Sequence, residues 1–148
     1  MYATGMLRQV LVGSLLVSAS IAVEAAFIGL AVVALGRLGG RLVSGRRVLK
    51  QTLALIVTTL WLLLALGAAV WIWAVAFMML GLFESLEAAL YFSAVAFTTL
   101  GFGDVTLEAE WRLLSGFIAA NGLVLFSLAT AFLIELMRRL GDPRLNGG

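Results

Sequence analysis

The stretch "TTLGFGDV", residues 98 to 105, decides how this chain folds. It lies between long apolar runs, yet within eight residues it carries two threonines, two glycines and an aspartate. The chain around it is 63% hydrophobic and 12% charged over 148 residues, with a mean hydropathy of +1.12. A soluble domain of this length needs far more polar surface, so the solvent is largely lipid. A polar strip in that setting calls for a physical reason.

Three apolar runs are long enough to cross roughly 30 Å of hydrocarbon at about 1.5 Å per helical residue. Residues 10–36 carry one charge, Glu24, while 53–80 and 113–134 carry none. The first run is too long for the core of a signal peptide, and only Arg8 precedes it, so it reads as a retained helix. With no Cys and no His, thiol chemistry, disulfides and the usual zinc and haem ligand sets are excluded. No hydrolytic or phosphate-binding signature is present, so no enzyme is expected.

Charge sets the orientation. Residues 36–50 hold Arg37, Arg41, Arg46, Arg47 and Lys50 without an acid, and Arg138, Arg139 and Arg144 follow the last run. The positive-inside bias places both segments in the cytoplasm of a multi-pass cell-membrane protein, with the N-terminus outside. Residues 84–112 then face outward, with Glu84, Glu87, Asp104, Glu108 and Glu110 against Arg112 alone. The pI near 9.7 follows from this orientation and from contact of the 36–50 basic residues with anionic lipid; nothing calls for nucleic acid. A voltage sensor needs arginines at regular spacing in an apolar helix. Gly36, Gly39, Gly40 and Gly45 disfavour helix, so a solvated loop is expected here.

Between the second and third runs, residues 86–98, "LEAALYFSAVAFT", read as a helix. Thirteen residues reach only about 20 Å, too short to cross. An extended strip over 99–104 returns about 16 to 20 Å. The lengths nearly match, so a half-helix enters the membrane and a strip leaves it. Such backbone survives only when buried in protein or lining water, because lipid satisfies no amide. Gly101 and Gly103 open backbone angles closed to other residues, so successive carbonyls can turn to one axis and replace the water around a cation. The half-helix also aims its partly negative end at the membrane centre.

Residues 98 to 104, Thr-Thr-Leu-Gly-Phe-Gly-Asp, resemble the signature of tetrameric potassium channels, whose filter is formed by four such loops. The resemblance covers about residues 53 to 138 and is of the two-helix pore type, with an extra N-terminal transmembrane helix. It implies that K⁺ ions are coordinated by the Thr99 hydroxyl and by the carbonyls of Thr99, Leu100, Gly101 and Phe102. Thr98 and Gly103 would set the filter geometry, with Asp104 bracing it from behind and Tyr91 as its aromatic donor. There are two departures. Phe102 replaces the commoner tyrosine and loses a hydroxyl tether, and Val95 stands where some members carry a glutamate partner for the aspartate.

In the third span, Asn121, Val124, Ser127, Leu128 and Ala131 share one face by 3–4 spacing, and the resemblance places that face on the cavity, with hydrogen bonds from Asn121 and Ser127 to neighbouring helices as the alternative. Gly122 lies near the family's gating hinge, with helix packing as the alternative. Glu135 extends the cavity face and is a candidate carboxylate ring at the cytoplasmic mouth, or else an ion pair with Arg138 and Arg139. Ser14, Ser18, Ala22 and Ala26 form a small-residue stripe suited to packing the first helix outside the pore. Glu24 lies mid-membrane, either as a sensor or as a structural carboxyl that is protonated or meets Ser20 and Thr58 or Thr59.

The expected fold is an all-α membrane protein of three transmembrane helices plus a re-entrant pore helix and selectivity-filter loop. Residues 1–51 would form the extra helix and basic linker, and 52–148 the pore domain. The expected function is passive, selective K⁺ permeation through a homotetramer. The alternatives are a weakly selective cation channel and a non-conducting interaction subunit with a pore-like fold.

Overall fold

A computed structural model describes residues 2–42 and 47–141, and the side chains of 4–37 and 49–140. Four helices follow in order: α1 (Tyr2–Leu42), α2 (Arg47–Met79), α3 (Leu86–Phe97) and α4 (Leu113–Gly141). No strand occurs among the described residues. α1, α2 and α4 are long and apolar enough to cross a membrane; α3 is not. The all-α membrane fold with a half-length helix is therefore as expected.

The basic segment departs from expectation. Helix α1 runs through Gly36, Gly39 and Gly40 to Leu42, and α2 begins at Arg47, so most of the expected loop is helical. Each glycine costs only about 1 kcal/mol relative to alanine, and the flanking Leu, Val and Arg are good or tolerable helix formers that continue hydrogen bonds begun in lipid. Arg46 and Arg144 lie outside the described residues, as do the side chains of Arg41 and Arg47.

The α2–α3 connection shows why the chain turns where it does. Gly81 takes φ +70°, its N–H donates to Met78 O, and the Leu82 N–H donates to Phe77 O, each at 3.0 Å. This satisfies the last carbonyls of α2 by the glycine-terminated motif that only a residue free of Cβ enters cheaply. Ser85 then caps α3, its hydroxyl accepting from Ala88 N at 3.2 Å, and Glu87 complements the positive helix start.

The core lies among α2, α3 and α4. It contains Leu62, Trp73 and Phe77 of α2, Phe92 and Phe97 of α3, and Leu114, Ile118 and Leu125 of α4. Aromatic contacts pin α3: Phe77–Phe92 at 5.5 Å and Phe83–Phe92 at 5.3 Å at its middle, Phe97–Phe126 at 5.6 Å at its end. Pairs of this kind contribute about 0.5–1.5 kcal/mol each beyond their buried area.

Helix α1 packs against both α2 and α4. Trp61 of α2 donates from Nε1 to Phe27 O at 2.9 Å, and the Phe27 and Trp61 rings lie 4.8 Å apart. Near the start of α1, Gln9 Oε1 accepts from the first N–H of α4, Leu113 N, at 3.0 Å, and Arg8 sits 4.6 Å over the Trp111 ring. The expected small-residue stripe does not make these contacts. Ser14, Ser18, Ala22 and Ala26 are exposed, and the buried face is Gln9, Gly13, Ser20, Glu24 and Ala31. A stripe one residue away lies about 100° round the helix. Two of the expected partners of Glu24, Ser20 and Thr59, are also engaged elsewhere. Ser20 and Thr59 donate to Leu16 O and Leu55 O of their own helices, and both Glu24 carboxyl oxygens are buried without a hydrogen-bond partner.

Candidate ion pathway

The strip begins where α3 runs out of helical geometry. Thr98, with φ −80° and ψ 0°, donates from its N–H and its hydroxyl to Ala94 O, at 3.1 and 2.8 Å. Thr99 N then reaches Ala96 O at 3.0 Å, while Leu100 N and Gly101 N both reach Val95 O, at 3.0 and 3.4 Å. The chain thus reverses directly beneath the helix end, and the last carbonyls of α3 are partly neutralised by it.

The strip is not an ordinary extended strand. Thr99, Gly101 and Gly103 have φ of +60°, +58° and +78°, and the intervening Leu100 and Phe102 do not share the positive sign. Carbonyls of a plain strand alternate sides, but residues alternating between left- and right-handed backbone turn successive carbonyls the same way. Glycine makes two of these positions inexpensive. Thr99 is β-branched, and holding it there costs on the order of 1–3 kcal/mol. The sequence signalled the two glycines and gave no sign of the threonine.

Asp104 follows the strip and accepts the Tyr91 hydroxyl at 2.6 Å, the pairing expected. That hydrogen bond holds the Asp104 carboxyl below its ordinary value and raises the Tyr91 phenol. Val95 does not join them. It lines a cavity of about 530 Å³ behind the strip, with Thr99, Gly101, Gly103, Thr106 and Arg112 among the other walls. Thr98, Thr99, Leu100, Gly101, Phe102, Gly103 and Asp104 are all exposed on the single chain, with Phe102 at 65%.

Helix α4 divides the expected cavity residues. Val124, Ser127, Leu128 and Ala131 are exposed along one face. Asn121 is not with them: it is 1% exposed, and its amide oxygen and nitrogen have no partner. Its position is the edge shared with the packed face of Leu114, Ile118, Leu125 and Ala129, and packing within the chain takes it. Gly122 is a contact site. A Cβ there would overlap the Phe97 carbonyl oxygen at the end of α3. Glu135 accepts from Arg139 Nε at 2.7 Å and lies 3.7 Å from Arg138, so its carboxylate is paired along its own helix.

Sequence reasoning missed Gln9, Gly13 and Phe117. A Cβ on Gly13 would come within 2.6 Å of the Phe117 ring, so α1 reaches α4 closely there. Glycine at position 13 was the available signal, although an apolar helix offers many glycines with no such role.

A half-helix anchored by aromatic rings leads into a strip with alternating backbone handedness, and the helix that follows carries an exposed face. No curated protein and no solved structure matches the chain. A family model described as "Ion channel" matches residues 56–139, more than half of the chain, taking in most of α2, all of α3 and the strip, and α4 to Arg139. Helix α1 lies outside that match, and the chain belongs to this ion channel family.

Proposed function

We propose that the chain is a potassium-selective channel, passing K⁺ passively through a homotetrameric pore. The observation that carries the reading is the alternation of positive φ at Thr99, Gly101 and Gly103, which gathers carbonyls on one side of the strip. K⁺ would be coordinated by the carbonyls of Thr99, Leu100, Gly101 and Phe102 and by the Thr99 hydroxyl, with Thr98, Gly103, Asp104 and Tyr91 holding the geometry. Four copies supply the ring. The exposure of Leu100 and Phe102 supports assembly, because re-entrant backbone cannot be left to lipid. In the tetramer Val124, Ser127, Leu128 and Ala131 line a water-filled cavity below the filter. The basic ends face the cytoplasm of a cell membrane, and the N-terminus faces outward.

A weaker selectivity has one observation in its favour. The cavity behind the strip, walled by Val95 and lacking a carboxylate, gives the filter less support than a second acidic partner would. Reversal potentials across bilayers containing the purified protein, under opposed K⁺ and Na⁺ gradients, decide between the two. A potential near the K⁺ equilibrium value supports selective permeation. A potential near zero assigns a general cation pore, and no current at all assigns a non-conducting subunit.

A further inference from the structure

Helix α4 ends on a side chain from α2. Gln51 Nε2 donates to Leu140 O at 2.6 Å, across 89 residues of sequence. That carbonyl is among the last four of the helix, which have no donor within it and carry its partial negative charge. Basic side chains near a helix end can bond such carbonyls. Here Arg139 donates to Glu135 at 2.7 Å and Arg138 lies 3.7 Å from the same carboxylate, so Gln51 supplies the donor. The opposite end of α4 is held in the reverse sense, where Gln9 Oε1 accepts from Leu113 N. Each end is thus tied to a different neighbour by an amide of matching polarity.

The two ties differ in what surrounds them. Near its start α4 is also held by the close approach of Phe117 to Gly13 and by the buried Leu114 and Ile118. Beyond Phe126, which meets Phe97, it keeps Ala129 and Leu136 buried but exposes Leu128, Ile134 and Met137. Residues 127–140 extend about 21 Å past that contact, so a tilt of about 10° away from α2 displaces Leu140 by almost 4 Å. N–H···O bonds rarely exceed about 3.2 Å, and the tilted helix leaves Gln51 behind.

We propose that Gln51 is a positioning residue for permeation: its hydrogen bond to Leu140 O holds the basic end of α4 against α2 and keeps the pore wide. The role in permeation rests on the channel reading; the tie itself does not. Val124, Ser127, Leu128 and Ala131 are exposed on the side of α4 turned from the buried Leu125, Ala129 and Leu136. The channel reading puts that exposed side on the pore. An α4 end that leaves α2 therefore moves toward the axis and narrows the path.

Spin-label distances and single-channel recordings on the full chain in bilayers test it together. The chain has no Cys, so Leu53→Cys on α2 with Met137→Cys on α4, both exposed, gives one labelled pair per chain. Labelled chains are diluted among unlabelled ones, so the distance read lies within one chain and needs no particular assembly. Gln51→Glu keeps the shape of the side chain, removes the donor and sets a negative charge at the negative helix end; Gln51→Lys keeps a donor. In Gln51→Glu the population at longer distance is expected to grow about threefold or more, the order of one net hydrogen bond, and the open probability to fall by a similar factor. Gln51→Lys should match the unaltered chain in both. Gln51→Leu serves if the glutamate variant fails to assemble. Unchanged distances in the variants without a donor overturn the tie. Longer distances with an unchanged open probability overturn the role in permeation. If every chain, the unaltered one included, passes no current, the channel reading falls, and the distances alone still decide whether Gln51 holds α4.

Discussion

The Tyr91 hydroxyl donates to Asp104 Oδ2 at 2.6 Å, tying the middle of the half-helix to the residue that closes the strip. Asp104, held below the ordinary carboxylate value of 3.8 by this hydrogen bond, contributes stability that is complete above that value. The contribution is lost as the pH falls through its depressed value. Tyr91 is raised above 10.0 first by the same hydrogen bond, so its contribution is present below 10.0 and lost as the pH rises through its raised value. The pair should therefore hold the strip across the whole neutral range and release it only at the two extremes. In Tyr91→Phe the acid loss of K⁺ current should move up toward the ordinary carboxylate value. A current–pH profile identical to the unaltered protein would show that the pair does not hold the filter.

Backbone handedness gives a second test. Within the single chain nothing lies within 4 Å of a Cβ added at Gly101 or Gly103, so the strain alanine meets from its own chain is the left-handed conformation. That costs about 1–2 kcal/mol per residue, repeated in every copy around the pore. Gly103→Ala should abolish K⁺ preference while the protein still assembles. Thr99→Gly should relieve local strain yet lose the hydroxyl, and Thr99→Ser should preserve ion preference. Reversal potentials for the three variants separate backbone from side-chain roles.

At Gly13, the contact with Phe117 predicts that a larger residue pushes α1 from α4. Gly13→Val is expected to destabilise the protein by about 1–3 kcal/mol, as overpacking does elsewhere. K⁺ over Na⁺ preference should not change, because α1 meets α4 near its start, at Leu113 and Phe117. Thermal unfolding in detergent paired with reversal potentials checks both halves. A changed ion preference would bring α1 into the pore's own geometry.

Asn121 offers the opposite sign. Its buried amide has no partner, and removing such a group with a side chain of similar shape relieves a desolvation cost of about 1–3 kcal/mol. Asn121→Leu should therefore raise the unfolding temperature and leave single-channel conductance near its original value. A marked fall in conductance would place the amide at the water-filled cavity instead.

The sequence made the spans and the half-helix legible because polar residues are conspicuous against lipid: residues 98 to 104 interrupt a run that otherwise has no reason to break. Facing was not legible. In α1 the Ser14–Ala26 stripe and the Gly13–Glu24 face are both flanked by apolar residues, and lipid is as apolar as a leucine side of a neighbour, so periodicity does not mark the packed side. The same reason misplaced Asn121, which sits where two faces of α4 meet. Helix ends at Gly36 to Gly40 were misread because glycine's penalty is small beside the hydrogen bonds of an established helix.

Gly122 and Phe97 give the molecule a gear. Helix α4 has no room for even one methyl group where the end of the half-helix rests on it. A bend of α4 at Gly122 must carry the Phe97 carbonyl, and with it the first residue of the strip, two positions further along the chain. Under the proposed channel reading, a movement started at the basic end of α4 is carried through this one contact toward Thr99 without any separate relay.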